Sequence, residues 1–287
     1  MAVVNELMIV KDDDVDAAGA TVWWRLSGTV LRETLVEQLE ARGIAHRPKT
    51  IEAETALRRA VSVLKGKRRL LRPLRRGAWA IVEESLVLGA DELKHWTGPT
   101  VSMDKIGRCV VRNATQAESE AVTAAYDRFF DELTTEDIAS WLIDNVHRLG
   151  AVGLRDGGGI YYLPPDRLPE WRSLVDALSA ASPAYKVYMV PTVRMTADGM
   201  RAILDSLTAE VMIDVEKVSD ELALGDLGPK ALDKRAADAG QLLAKVSRYE
   251  ALLGTKLDEL RKDVSELETA VVAAKLAAEA AREEAGS

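Results

Sequence analysis

The sequence predicts an α+β body, in which antiparallel strands combine with helices, followed by a long α-helical coiled-coil C-terminus. Three observations predict this fold class. Short segments rich in Val, Ile and Trp, separated by glycines, occupy much of the first 113 residues and are typical of antiparallel strands. Helical patterns, with apolar residues every three or four positions, flank those segments. After residue 232, apolar residues recur at a and d positions over seven heptads, which indicates a coiled coil.

The first body is expected to run from residue 19 to residue 113. Residues 20–26 form a strand, with Val22 and Trp24 on one face. Thr29 is expected to cap a helix over residues 30–41, and a second helix follows over residues 51–64. Four short strands then alternate with glycine breaks and predict an antiparallel meander, at residues 70–74, 78–86, 95–103 and 106–112.

A second α+β unit is expected over residues 114–195. Its helices lie at residues 115–132, 135–149 and 167–180, with Thr135 as the cap of the second. Residues 151–163 form a β-hairpin around three consecutive glycines, and residues 185–193 form a last strand. A helix followed by a hairpin has the order of a winged helix. The helix is too acidic for a DNA reader, so a winged-helix-like unit used for protein contact is the preferred interpretation.

The C-terminal unit, residues 196–287, is predicted to be a helical hairpin or coiled coil. Thr196 caps a helix to residue 222, glycines at 225 and 228 break it, and Pro229 begins the next. That last helix is expected to be about 80 Å long at 1.5 Å per residue. The hairpin could close within one chain or pair with a second chain. The apolar positions predicted to support oligomerisation are Leu232, Leu243, Val246, Leu253, Leu257, Leu260, Val264, Leu267 and Val271.

Composition restricts the class of protein. The net charge of −8 argues against a uniformly basic nucleic-acid binder, and one cysteine, Cys109, excludes an intramolecular disulfide framework. The N-terminus lacks the basic region and long apolar core of a signal peptide. No run approaches the roughly 18 apolar residues of a membrane span. These features predict a cytoplasmic protein with no membrane partner.

Familiar catalytic and metal-binding patterns are missing from the sequence. Residues 1–18 form an acidic segment, but Ala17 and Trp23 occupy the positions where a calcium loop needs Gly and Glu, so a solvated turn is preferred. The three histidines have no ligand-spaced neighbours. The glycine triplet lies between strands rather than before a helix, which favours a hairpin over a phosphate loop. No catalytic residue, cofactor or metal is therefore predicted.

A basic stretch is the most informative polar feature. Nine Lys and Arg residues and no acidic ones lie between residues 57 and 76. Such a stretch is able to neutralise phosphates. The alternative is pairing with the acidic N-terminus or with the acidic tail, residues 196–287, which contains 19 acidic and 12 basic residues. The residues assigned to nucleic-acid binding are Lys65, Lys67, Arg68, Arg69, Arg72, Arg75 and Arg76.

The segments VWWRLSGTVL, ALRRAVSVL and GGGIYYLP, followed by a helical C-terminus, resemble a group of uncharacterised proteins encoded by tailed phages and prokaryotes. The resemblance covers most of the first 195 residues and implies no activity and no catalytic residues. It favours an accessory protein of phage or prokaryotic type.

Three functions follow from these patterns, in order of preference. The first is a non-enzymatic scaffold or assembly protein, which self-associates, or pairs with another coiled-coil protein, through the C-terminus and binds a partner through the α+β body. The alternative is a nucleic-acid-associated protein that uses the basic stretch. The third is an enzyme of unrecognised type.

Overall fold

The structure is a computed structural model that describes residues 17–87 and 92–285, and it has an α+β fold with antiparallel sheets. The chain forms two compact units. The bundle unit comprises the described parts of residues 1–25, 144–172 and 187–287, and the meander unit comprises those of residues 26–143 and 173–186. The units are therefore not the consecutive segments expected from the sequence, because the first strand pairs with partners more than 130 residues away. The acidic N-terminal turn lies outside the described residues.

The meander unit contains the predicted four-stranded antiparallel sheet, in the order β3-β4-β5-β6. Helices α2 and α3 pack on one face of it, where Leu71, Ile81 and Val101 contribute to a shared apolar core. This unit also contains a further helix and a two-stranded ribbon, β2-β7. The bounds are β2 Val30–Leu31, α1 Arg32–Glu40, α2 Ala53–Ser62, β3 Arg69–Arg75, β4 Ala78–Val87, β5 Glu92–Met103, β6 Cys109–Arg112, α3 Gln116–Asp131 and β7 Glu132–Leu133.

Two predicted helix starts are corrected by the structure. The helix expected from residue 30 begins at Arg32, because Val30 and Leu31 pair with β7 as a strand, and no side chain caps it. Helix α4, Thr135–Arg148, is capped by Thr134 rather than by Thr135. The Thr134 hydroxyl accepts from the backbone N–H of Asp137, whose carboxylate accepts from the backbone N–H of Thr134. This reciprocal pair satisfies two backbone donors at the helix start.

The bundle unit contains a second sheet, in the order β10-β1-β9-β8, that joins distant parts of the chain. The predicted hairpin is present, and Gly157, Gly158 and Gly159 all have positive φ in its turn. Its strand β9 also pairs with β1. The hairpin is thus half of a sheet, not the free wing of a winged helix. The bounds are β1 Ala20–Arg25, β8 Val152–Gly153, β9 Tyr161–Leu163 and β10 Lys186–Pro191. Helix α5, Leu168–Ala181, begins in this unit, but most of it belongs to the meander unit.

Three C-terminal helices pack against one another and against Val152 and Tyr162 of the sheet: α6 Ala197–Leu224, α7 Pro229–Leu253 and α8 Asp258–Ala285. The predicted cap at Thr196 is confirmed, since its hydroxyl accepts from the Gly199 backbone N–H. The continuous helix predicted through all seven heptads is wrong. Gly254 adopts a left-handed conformation, φ 63°, and ends α7, so the chain turns back before α8 begins.

Candidate nucleic-acid interface

Strand β3 divides the basic stretch between the two faces of the meander sheet. Side chains alternate between the faces of a strand, and Leu71 lies on the face covered by α2 and α3. Arg72 therefore lies on the opposite face, and so does Arg68, which extends the ladder by accepting from the Glu84 backbone N–H. A register shift between Pro73 and Arg75 brings Arg75 opposite Ala78, on this same face. Three exposed arginines thus follow one edge of the sheet.

The opposite edge strand, β6, adds two further arginines to this face. Val111 packs with the helices, so its neighbour Arg112, which pairs with Thr100, lies on the other side. Arg108 precedes Arg112 by four residues and accepts from the Asp104 backbone N–H, which continues the ladder. Both arginines are exposed. We call this side of the sheet the arginine face; its members are Arg68, Arg72, Arg75, Arg108 and Arg112.

Between its two arginine edges, the face has a floor of small side chains. The ladder of β3, β4, β5 and β6 places Ala80 and Thr100 between Arg72 and Arg112, one residue from each strand. Three interstrand spacings of about 4.8 Å separate the backbones of the two edge strands by about 14 Å. The next row contains Ala78 and Ser102. The centre of the face therefore carries small side chains, of which Ala78 and Ala80 are buried, and both of its edges are cationic.

The charge of this region contrasts with that of the whole chain. Residues 65–112 contain eleven Lys and Arg against five Asp and Glu, within a chain of net charge −8. Across the part of the chain that the structure describes, no member of the arginine face lies within 4.0 Å of a carboxylate oxygen. Glu84 lies on this face, where it is 3.7 Å from His95 Nδ1. Positive charge that is exposed and unpaired is the electrostatic feature that attracts a polyanion.

Not all of the predicted nucleic-acid-binding residues lie on this face. Lys65 and Lys67 are exposed in the loop that leads to β3. Arg69 points to the helix-covered face, where it donates to Glu118 Oε1 at 2.6 Å and lies 2.9 Å from Glu83 Oε1. Arg76, whose side chain is 95% exposed, lies 3.6 Å from Glu54. The ion pairs of this stretch are therefore made within its own unit.

The inward-facing arginines have a structural role. Arg59 forms a bidentate pair with Asp137, at 2.7 and 2.8 Å. Burial raises the pKa of Asp137, but hydrogen bonds from Arg59 and Thr134 outweigh burial and hold that pKa below its usual value. The backbone N–H of Thr115, then Arg69, likewise lower the pKa of Glu118. The first pair joins α2 to α4, and the second joins β3 to α3. The guanidinium groups of Arg59 and Arg69 are therefore already bound to carboxylates of their own unit.

Sequence reasoning missed Arg108 and Arg112, which are more than 30 residues beyond the basic stretch. No alternation in the sequence signals them, because β6 reads Cys-Val-Val-Arg, with two apolar residues side by side. Only the order of the meander shows that β6 forms the edge opposite β3.

The predicted oligomerisation residues lie in the cores of the bundle unit. Seven of the nine are buried within one chain, and Leu243 and Leu257 are partly buried beside them. Val264 and Val271, for example, pack with residues of α6 and α7 in two adjoining clusters. The apolar stripe is consequently occupied by intrachain contacts, and pairing between chains stays a prediction.

Other polar groups provide little chemistry. Burial, and then the nearby Asp127, raise the pKa of the Cys109 thiol to about 11, so it is protonated at neutral pH. Within residues 17–87 and 92–285, no group of three or more His, Cys, Asp or Glu side chains is arranged to hold a metal ion. The same ranges contain no helix that is long and apolar enough to cross a membrane.

Comparison with known proteins identifies a family. A family model described as a family of unknown function, DUF6744, matches residues 18–282, which is nearly the whole chain. The chain belongs to this family. The match spans both compact units, so membership in DUF6744 covers the arginine face and the three-helix bundle alike. No curated protein matches the chain. No solved structure matches it either.

Proposed function

We propose that this member of DUF6744 is a nucleic-acid-associated protein that binds phosphates through the arginine face. One observation carries the proposal: exposed arginines from both edge strands of the meander sheet lie on one side of it. Guanidinium groups are well suited to phosphate because their planar donors form paired hydrogen bonds with its oxygens. An accessory role in a phage or a prokaryote, which the resemblance implies, is part of this proposal.

Charge complementarity supports this function over the scaffold that the heptads favour. When protein cations bind the phosphates of a polyanion, the counterions of those phosphates are released, and this release favours binding. Binding of this kind requires neither a deep pocket nor base-specific contacts. The arginine face meets those needs with small side chains at its centre and cations at both edges. In contrast, a coiled-coil scaffold needs an exposed apolar stripe, and the heptad residues are used inside the bundle.

The test is titration of a labelled nucleic acid with the full-length protein at about 50 mM salt. We expect saturable binding that is abolished when all five members of the arginine face are changed to Glu. The matched control changes five basic residues of the bundle unit to Glu, which alters net charge equally; these are Arg201, Lys217, Lys234, Lys256 and Lys262, all exposed. Equal losses in both variants, or no binding by the wild type, would refute the proposal.

Self-association is a second candidate, favoured by exposed apolar side chains on the outer surface of the bundle. Leu224 of α6 and Leu276 of α8 are 76% and 61% exposed. Exposed apolar side chains of this size are available for contact with a second copy of the chain. Light scattering of the wild type and of a Leu224→Gln, Leu276→Gln variant tests this candidate. A monomeric wild type at tens of micromolar would count against it.

A further inference from the structure

The arginine face has two cationic rows rather than one. Arg68, Arg72 and Arg75 follow β3, while Arg108 and Arg112 follow β6. Within each row, residues four apart are about 13 Å from each other along the strand, and about 14 Å separates the rows. Two parallel rows of cations, separated by small side chains, suit a ligand with two rows of anions better than a ligand with one row of anions.

The side chains between the rows provide no stacking platform. Proteins that bind single strands without sequence preference place aromatic rings under successive bases, and each ring contributes about 1–3 kcal/mol. The described side chains of the arginine face include no Trp, Tyr or Phe. Trp79 packs in the core with the helices, and Trp96 pairs with Glu83 on that same helix-covered side. A single strand would therefore gain only phosphate contacts here.

The floor also lacks the side chains that usually read bases. Thr100 and Ser102, both half-buried, provide hydroxyls, which suit phosphate oxygens, while the methyl groups of Ala78 and Ala80 are buried. Asn and Gln, which form paired hydrogen bonds with adenine, are missing from the floor residues that the structure describes. The floor therefore has donors for the backbone and lacks the paired amide contacts that distinguish adenine from the other bases.

We propose, on the basis of the proposed function, that the arginine face binds the backbones of a double-stranded nucleic acid without regard to sequence. The β3 row contacts phosphates of one strand, and the β6 row contacts phosphates of the other. The occupant is a duplex because a duplex presents two rows of phosphates at a fixed separation and keeps its bases stacked inside, where they need neither the aromatic rings nor the amide side chains that this face lacks among its described residues.

The experiment compares a labelled duplex of about 20 base pairs with each of its own single strands, using the full-length protein at one salt concentration. We expect the duplex to bind at least tenfold more tightly. Changing Arg108 and Arg112 to Gln removes the β6 row, and we expect it to weaken duplex binding at least tenfold while single-strand binding changes less than twofold. Two duplexes of unrelated sequence should bind equally well.

A matched variant, Lys65→Gln with Lys67→Gln, removes two exposed cations outside both rows. We expect it to affect duplex and single strands alike. Single strands that bind as tightly as the duplex, or a β6-row variant that weakens both equally, would overturn this inference and leave the proposed function intact. If neither probe binds, the proposed function itself fails.

Discussion

Arg69 and Arg112 offer a direct test of how the sheet divides the cations. Arg69 belongs to the basic stretch but is paired with Glu118 and Glu83 on the helix-covered face. Arg112 lies outside that stretch but is exposed on the arginine face. If clustering in sequence determined binding, Arg69→Gln would weaken nucleic-acid affinity and Arg112→Gln would not. The structure predicts the reverse.

The magnitude follows from the number of phosphate contacts. For duplex DNA, the logarithm of affinity falls with the logarithm of salt at a slope of about −0.9 per contact. Five arginines give a slope of about −4.5, so raising salt from about 50 to 200 mM should reduce affinity about 500-fold. Without Arg112 the slope becomes about −3.6, and the same change in salt costs about 150-fold. Arg69→Gln should leave the slope unchanged and lower the free energy of unfolding by about 1 kcal/mol.

Fluorescence anisotropy of a labelled duplex, measured at several salt concentrations, gives the slopes, and urea denaturation gives the stabilities. Arg201→Gln, in the bundle unit, is the control for loss of one exposed positive charge and should change neither quantity appreciably. An unchanged slope in the Arg112 variant, or a reduced slope in the Arg69 variant, would refute the assignment of these two side chains to opposite faces.

Three further predictions concern an ion pair, a turn and a half-buried thiol. The pKa of Asp137 is below its unfolded value, so its pair with Arg59 stabilises the fold above that unfolded value, and the contribution is lost as pH falls through the folded pKa. Asp137→Asn should lower the free energy of unfolding by about 1.5–3 kcal/mol at pH 7, and urea titrations should show a smaller deficit at pH 3. Changing Gly157 and Gly158 to Ala should cost about 1–2 kcal/mol per residue in thermal unfolding, because both have positive φ; an unchanged melting temperature would contradict this turn geometry. Cys109, with a pKa of about 11, should react with iodoacetamide at pH 8 far more slowly than a free thiol, and equally fast only after denaturation.

Most of the local structure could be predicted from the sequence. Alternation and glycine breaks predicted the meander strands, which the structure confirms within a few residues, because both signals are local. Thr196, Gly225 and Pro229 marked helix ends for the same reason: a cap or a left-handed turn depends on a few neighbouring residues.

The C-terminus shows where a correct pattern led to a wrong tertiary prediction. Apolar residues at a and d positions require burial, but they do not specify which surface buries them. Gly254 breaks the helix once, and the same stripe then packs against α6 and the sheet of its own chain. The glycine was visible in the sequence, but a single glycine inside a long heptad pattern is tolerated in many helices.

Which cations share one face of the meander sheet depends on the tertiary structure. The basic stretch predicted a cluster of seven residues, but strand alternation sends Arg69 inward, and the order of the meander brings Arg108 and Arg112 to the opposite edge. The pairing of β1 with β9 and β10 likewise assigns the N-terminal strand to the bundle unit. Such contacts join residues far apart in the chain. Local preferences specify each strand, but the choice of partner depends on burying all the apolar faces together.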